Sequence, residues 1–118
     1  MAYDEVLAQR LHELLDAEPG LTTRAMFGGL GFMLDGHMAV AAGSGGSLMV
    51  RVDPADGEAW TDGETVRPME MRGRAMTGWL LVDGPELAED ERLRLWVGRG
   101  VDHVRGLPPK QPKEPRGA

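Results

Sequence analysis

The sequence contains no cysteine, and its 118 residues include only two serines and three histidines. The absence of cysteine excludes disulfides, thiolate zinc sites, iron–sulfur clusters and cysteine nucleophiles. Ser44 and Ser47 lie in or beside a glycine-rich loop, which suits a flexible hairpin better than a catalytic triad. The histidines share no metal-binding spacing. We therefore expect a protein that is not an enzyme and that holds no metal or cofactor.

Long apolar runs and an excess of basic residues are missing as well. No run reaches the roughly 18 apolar residues that a membrane-spanning helix needs, and the first residues lack the basic and apolar blocks of a secretory signal. We expect a cytoplasmic protein with no membrane contact. The 13 basic and 19 acidic residues give a net charge of −6. Because phosphate neutralisation dominates DNA binding, we expect DNA to be contacted only weakly or indirectly.

The length of the chain suits one domain, since a domain takes roughly 100–200 residues. The last segment, PPKQPKEPRGA from Pro108 onward, contains four prolines and no large apolar residue. Such a segment cannot bury enough surface to offset its ordering entropy. We predict a single domain over residues 1–107 and a disordered, proline-rich tail over residues 108–118. Three bases and one acid give the tail a net charge of +2, which leaves −8 on residues 1–107.

Helical periodicity marks both ends of the predicted domain. Tyr3 and the leucines at positions 7, 11 and 14 follow one stripe, which predicts a helix over Asp4–Asp16 that Pro19-Gly20 ends. A second helix is predicted over Asp90–Arg105. Its apolar seam is formed by Leu93, Val97, Gly100, Val101 and Val104.

Between these helices the sequence consists of short apolar runs that are typical of β-strands. Glycine-rich turns separate most of the apolar runs. The runs, which we predict to be strands, are Leu21–Phe27, Leu30–Leu34, His37–Ala42, Leu48–Val52 and Gly78–Val82. The segment Thr61–Thr77 has no clear period, although Arg67-Pro68-Met69 should be extended. Strands grouped between helices favour a two-layer α+β fold, with an antiparallel sheet of about four to six strands and both helices packed on one face. The helical residues that should be buried together are Leu7, Leu11, Leu14, Val97 and Val101.

A glycine-rich stretch joins the first two predicted strands. It lacks the Lys-Ser/Thr pair of a phosphate-binding loop, and no helix follows it, so nucleotide binding is not expected. Glycines at a strand junction instead permit a bulge or a close approach of the backbone. The Asp-Gly pair that follows predicts a two-residue hairpin turn. We assign this structural motif to Phe27, Gly28, Gly29, Gly31, Asp35 and Gly36.

Five arginines are candidates for a patch that binds anions or a partner, because guanidinium groups suit carboxylates and phosphates. They are Arg24, Arg51, Arg67, Arg72 and Arg74. Arg24 and Arg51 lie on predicted strands and can project from the same face. The alternative is that the arginines pair with the surplus acidic residues of the domain. Eight methionines, mostly on or near strands, are expected to fill the core, with an adaptable contact surface as the alternative.

Leu95 and Trp96 are candidate interaction residues. At about 100° per residue, both lie off the seam predicted for the second helix, yet both are large and apolar. Tryptophan is enriched among binding hot spots. Two interpretations remain open: an edge of the sheet or the Thr61–Thr77 segment covers these side chains, or they form a homodimer or partner surface.

Several motifs taken together resemble the N-terminal domain of the TfoX/Sxy family. They are Arg24–Met33, Asp35–Ala39, Leu48–Val52, Arg67-Pro68-Met69, Met76–Trp79, and the Trp96-Val97 helix with its Leu107-Pro108-Pro109 exit. The resemblance covers about residues 3–109. We therefore expect a stand-alone N-terminal domain, without the C-terminal helical domain that regulators of this name carry.

The resemblance implies a two-layer α/β domain with an antiparallel sheet, and no catalytic residues are carried over from it. Family members of this name regulate natural competence for DNA transformation, together with an activator of the cyclic-AMP receptor type. On this basis we expect a non-catalytic cytoplasmic regulatory domain that binds an unidentified protein, as a monomer or a homodimer. One alternative is a nucleic-acid-associated transcription regulator that uses the arginine patch. The other is a small ligand-binding protein or enzyme with a pocket near Phe27, Arg67 and Trp79.

Overall fold

The computed structural model describes residues 4–26, 29–43, 46–71 and 73–107 of the chain. Over these ranges the elements, in chain order, are α1 (Glu5–Leu15), β1 (Leu21–Met26), β2 (Gly29–Leu34), β3 (His37–Ala42), β4 (Leu48–Arg51), α2 (Pro54–Trp60), β5 (Val66–Met71), β6 (Arg74–Val82), α3 (Gly84–Leu87) and α4 (Asp90–Arg105). The predicted tail and the junction residues Phe27 and Gly28 lie outside the described ranges. Within those ranges, no helix has the length and apolar character to cross a bilayer.

The two long helices lie where helical periodicity places them. The Asp4 carboxylate caps α1 by accepting a hydrogen bond from the backbone N–H of Leu7 at 3.0 Å. Helix α4 begins and ends at the predicted residues, Asp90 and Arg105. Leu14 of α1 and Val101 of α4, both predicted to be buried, are only half-buried at the margin of the core. The side chains that α1 buries are Leu7, Ala8, Leu11 and Leu15.

The six strands form one open sheet in the order β1-β2-β3-β4-β6-β5, and every neighbouring pair is antiparallel. Asp35 and Gly36 join β2 to β3 with φ values of 51° and 87°, the positive values that a tight hairpin turn of this type needs. In β4, Leu48 is buried and Met49 is half-buried, in agreement with the alternation read from the sequence. The predicted antiparallel α+β fold is confirmed.

The helices pack against one face of this sheet, called the inner face. Helix α4 lies on β3 and β4, while α2 lies on β6 and β5. Helices α1 and α3 contact α4 from either side and complete the layer. One main core joins the helices to the inner face, and its large side chains are Leu7, Leu11, Leu15, Phe32, Val40, Leu48, Val50, Val52, Val66, Leu80, Val82, Leu87, Leu93, Trp96 and Val97.

Helix α4 makes its closest approach to the sheet at Gly100. The register between β2 and β3 shifts between Phe32 and Met33, which leaves Ala39 as the extra residue of a β-bulge on β3. A Cβ atom on Gly100 would lie only 2.6 Å from the carbonyl oxygen of Ala39. The helix therefore packs at this depth only because residue 100 has no side chain.

The segment Thr61–Thr77, which has no clear period in the sequence, forms β5 and the first part of β6. Arg67-Pro68-Met69 is extended, as its proline predicts. The register between β5 and β6 shifts between Pro68 and Met69, so this hairpin lacks an uninterrupted two-residue alternation. The sequence pattern therefore does not reveal these two strands.

Asp62 organises the turn that leads from α2 into β5. Its carboxylate accepts hydrogen bonds from the hydroxyl of Thr65 at 2.6 Å and from the backbone N–H groups of Val66 and Glu64 at 2.9 and 2.7 Å. These donors stabilise the ionised form and hold the pKa of Asp62 well below its usual value, with the Thr65 hydroxyl the largest cause. The turn thereby fixes the point at which β5 begins.

We predict that Gly100→Ala lowers the free energy of unfolding by about 1–3 kcal/mol, because the added methyl group meets a backbone carbonyl that cannot rotate away. Chemical denaturation monitored by circular dichroism measures the change. Gly98→Ala is the matched control, since no atom lies within 4 Å of a Cβ at that position of the same helix. The control should gain up to about 1 kcal/mol from helix propensity. Equal effects at the two positions would contradict the close contact.

Candidate interaction surface

The face of the sheet opposite the helices, called the outer face, is not covered by any described element. Directly paired residues on neighbouring antiparallel strands point to the same side of the sheet. The residues of this face are therefore found by following the register partners of Met49 from strand to strand. They are Thr22, Arg24, Gly31, Met33, Met38, Ala41, Met49, Arg51, Arg67, Trp79 and Leu81.

One row of the outer face, called the Arg24–Arg67 row, crosses all six strands and has an arginine at each end. Its neighbours pair in the sequence Arg24, Gly31, Ala41, Met49, Leu81 and Arg67. With about 4.8 Å between neighbouring strands, the row is about 24 Å long. The four positions between the arginines are apolar, so the row is a band of apolar surface with a cation at both ends.

Methionine and tryptophan side chains flank the Arg24–Arg67 row. Met33, Met38 and Trp79 are half-buried on the same face. Met38 folds over Gly31, where a Cβ atom would lie 2.9 Å from the Met38 Cε. The expectation that methionines fill the core is wrong for those whose side chains are described, because none of them belongs to the buried core. Three of them, Met33, Met38 and Met49, lie on the outer face of the inner strands β2, β3 and β4.

Arg51 lies beside this row and stacks against Trp79. The two residues are register partners, and the guanidinium carbon lies 5.6 Å from the centroid of the indole ring. A cation over an indole is attracted by the negative face of the ring. No salt bridge between described residues involves Arg51 or Arg24. Both guanidinium groups therefore remain able to pair with a carboxylate from outside the chain.

Arg67 differs from these two arginines because it pairs within the chain. Its Nη2 lies 2.8 Å from Oδ1 of Asp83, and the Ser47 hydroxyl donates to the same oxygen at 3.3 Å. The interpretation that arginines pair with acidic residues thus holds for Arg67. Arg74 is exposed at the start of β6, and Arg72 lies outside the described residues.

The predicted patch is therefore distributed rather than clustered. Arg24 and Arg51 share a face, as their strand positions allow, but they are three strands apart, or about 14 Å. Of the pocket expected near Phe27, Arg67 and Trp79, the last two residues lie on the outer face, whereas Phe27 is outside the described ranges. Of the described glycines of the structural motif, Gly29 and Gly31 are buried in β2, and Gly36 is half-buried in the β2–β3 turn.

The expectation that Trp96 lies off the buried surface of α4 is wrong. Its side chain is 2% exposed, whereas Leu95 is 37% exposed. The contacts that cover Trp96 come from α2 and α3. Trp60 contacts the Trp96 ring edge-on with centroids 6.1 Å apart, and the indole N–H donates to Oε2 of Glu86 at 3.0 Å. Helix α4 thus buries two sides, one on the sheet and one on its neighbouring helices.

Arg99 completes this contact between α2 and α4. Its guanidinium carbon lies 4.0 Å from the centroid of Trp60 and 4.5 Å from that of Trp96. Desolvation between the rings lowers the pKa of Arg99 from its usual value. A cleft of about 400 Å³ opens beside it, lined by Val52, Asp53, Asp56, Trp60, Arg99, Asp102 and His103. Arg99 already covers the aromatic wall of this cleft, so its contacts with the two tryptophans stabilise the packing of α2 on α4.

A two-layer α+β domain with one helical layer and one uncovered sheet face is the class of protein that this geometry defines. The chain belongs to the TfoX N-terminal domain family, whose model matches residues 13–104. The match spans most of the chain and confirms the family resemblance carried by the sequence motifs. No curated protein matches the chain.

The burial of Trp96 predicts a large loss of stability on truncation. Trp96→Ala should lower the free energy of unfolding by about 3–5 kcal/mol, as for other large core residues. Leu95→Ala, at the neighbouring exposed position, should change it by less than about 1 kcal/mol. Urea denaturation of the two variants in parallel measures both values. A small effect at Trp96 would show that the packing of α2 and α3 on α4 is loose.

Glu86 should contribute a pH-dependent part of the stability. The indole N–H of Trp96 and then Arg92 hold the pKa of Glu86 below its usual value. Because the folded-state pKa is the lower one, the stabilisation is complete above the unfolded pKa of about 4.3 and is lost as the pH falls through the folded pKa.

The matching experiment compares Glu86→Gln with the unmodified chain across the pH range. At pH 7 the variant should be less stable by about 1 kcal/mol, since it keeps an acceptor but loses the charge. The gap should narrow as the pH falls below the unfolded pKa of about 4.3 and through the lower folded pKa. Glu58→Gln, at an exposed position of α2, is the control for replacing a carboxylate that has no contact with Trp96. A gap at Glu86 that stays constant down to low pH would contradict the assignment.

Proposed function

We propose that this chain is a non-catalytic, cytoplasmic regulatory domain that binds a partner protein through the outer face of its sheet. The Arg24–Arg67 row carries the proposal. Interface cores are enriched in methionine, aromatic residues and arginine, and they are depleted in lysine and glutamate. The described residues that the register assigns to the outer face have this composition, since none of them is lysine or glutamate and no described element covers them.

The distribution of charge favours an acidic surface on the partner. Arg24, Arg51 and Arg67 with Asp83 give the outer face and its rim a net charge of +2. The remaining charged residues of 1–107 sum to −10. A partner with carboxylates is attracted to the outer face and repelled by the helical layer, so charge selects the face that docks.

The half-buried methionines suit a partner surface of irregular shape. Methionine has an unbranched, polarisable side chain that adjusts to the atoms placed against it. Trp79, held by Arg51 on one side, offers a more rigid anchor of the kind that dominates binding energy. Adaptable contacts around one fixed aromatic anchor allow a six-stranded face to bind a folded protein without rearranging its backbone.

Membership of the TfoX N-terminal domain family supports a regulatory role. In keeping with the resemblance to competence regulators, we propose that the partner is a protein of transcriptional control and that DNA is contacted through that protein. The two unpaired arginines also favour a second candidate, direct binding of nucleic acid. The acidic balance of the remaining domain weighs against it, because most of its surface repels phosphate.

A photocrosslinking experiment in the organism that encodes the chain tests the proposal. We predict that a photoreactive residue in place of Met49, at the centre of the row, captures a discrete protein, whereas one in place of Glu58 on α2 does not. The double variant Arg24→Glu/Arg51→Glu should reduce capture at position 49 at least about tenfold, because it reverses the charge presented to the partner.

The control for charge reversal is Arg94→Glu, an exposed arginine on α4. It changes the net charge in the same direction but leaves the outer face intact, so capture should persist. Equal capture from positions 49 and 58, or capture indifferent to Arg24 and Arg51, would contradict the outer face as the binding site. Tight duplex binding with a steep salt dependence would instead establish the nucleic-acid candidate.

A further inference from the structure

The two edges of the sheet differ in how they are protected. The β5 edge contains Pro68, which has no backbone N–H, and the register shift follows it directly. Proline and irregular register are common means of preventing further strands from pairing. The β1 edge has neither. Residues 22–25 are all exposed, and no described segment pairs with that side of the strand.

The backbone of β1 presents regularly spaced hydrogen-bonding groups along this free edge. The Asp35 N–H donates to the carbonyl of Gly20 at 3.2 Å, so the Gly20 carbonyl faces β2. Backbone groups alternate in direction along an antiparallel strand. Thr22 and Arg24 therefore face β2 as well, whereas the N–H and C=O groups of Leu21, Thr23 and Ala25 point away from the sheet.

A second copy of β1 matches this edge when the two strands run antiparallel with Thr23 on the two-fold axis. Thr23 then faces Thr23 of the other copy, and Leu21 of each copy faces Ala25 of the other. All outward-pointing groups of the three residues find partners in this register. A shift of the pairing in either direction leaves some of them unmatched, so the symmetric register is the most complete.

The side chains are compatible with that register. Threonine pairs directly across neighbouring strands stabilise a sheet. Arg24 of each copy faces Thr22 of the other, so the only charged side chain of β1 is not placed directly opposite its own copy. An isologous contact of this kind closes on itself as a dimer.

We propose that β1 pairs with β1 of a second copy to form a symmetric dimer with one continuous twelve-stranded sheet. The outer faces of the two copies become neighbours in this arrangement, and the β5 edges lie at the far ends. The dimer buries one strand from each copy, so it is expected to form and dissociate reversibly. This proposal concerns an edge rather than the outer face, and it stands or falls independently of the partner proposed above.

A disulfide trap in the full chain is the first test. Because the sequence has no cysteine, Thr23→Cys introduces a single thiol. Directly hydrogen-bonded residues on antiparallel strands have Cα atoms about 5.5 Å apart, which is within the range of a disulfide. Mild oxidation should convert Thr23→Cys to a covalent dimer, whereas Glu64→Cys, exposed in the turn before β5, should stay monomeric.

Charge at the two-fold axis gives the second test. Thr23→Lys and Thr23→Glu each place like charges opposite one another and should weaken dimerisation at least about tenfold. An equimolar mixture of these two variants should restore it, since the charges then attract. Thr23→Val keeps the backbone N–H and the branched shape, and it should dimerise like the unmodified chain. Sedimentation equilibrium from about 10 µM to about 1 mM measures each association constant.

Circular dichroism of each variant checks that the fold is retained, and the exposure of residue 23 makes unfolding unexpected. A monomer at every concentration would overturn the proposal. A dimer that is indifferent to charge at residue 23, or that Thr23→Cys fails to trap, would also overturn it by placing the contact elsewhere. If the dimer forms but position 49 captures no partner, the proposed function is contradicted and the dimer proposal is not.

Discussion

Helix α4 can cover the sheet only because Gly100 meets the bulged carbonyl of Ala39 without a side chain between them. That contact sets the distance between the two layers. A larger separation would open space beneath Leu93 and Val97, whose burial depends on reaching the inner face. It would also lift Trp96 away from Trp60 and so weaken the attachment of α2. The bulge on β3 and the glycine on α4 thus form one close packing contact, although 61 positions separate them in the chain.

Placing the helices on one side of the sheet gives the two surfaces of the domain different chemistry. The helical layer carries most of the acidic residues, many of them at helix starts, where the positive end of the helix dipole stabilises them. The outer face carries arginine and methionine instead. The domain is therefore polarised in charge across its thickness, a property that the net charge of the chain conceals.

The sequence predicts most where local signals and tertiary structure agree. Helical periodicity locates α4, and Asp35-Gly36 predicts the β2–β3 turn because both residues adopt the positive φ that a two-residue hairpin turn needs. Prediction fails where a second set of contacts intervenes. Trp96 is misplaced because one helical seam was assumed, while α2 and α3 bury another side of α4. The β5–β6 hairpin is not evident because its register shift breaks the alternation. The methionines are misassigned because their type alone does not distinguish the two faces.

Pro68 has a consequence for the size of any assembly that the sheet can build. A sheet with two open edges can grow at both ends, which is how fibrils elongate. A sheet blocked at one edge can add a strand only at the other, and a symmetric addition there consumes the sole growing end. If β1 pairs as proposed, the proline on β5 limits growth to a single event. It then keeps a chain with an unprotected β1 from forming the open-ended polymers that such strands otherwise nucleate.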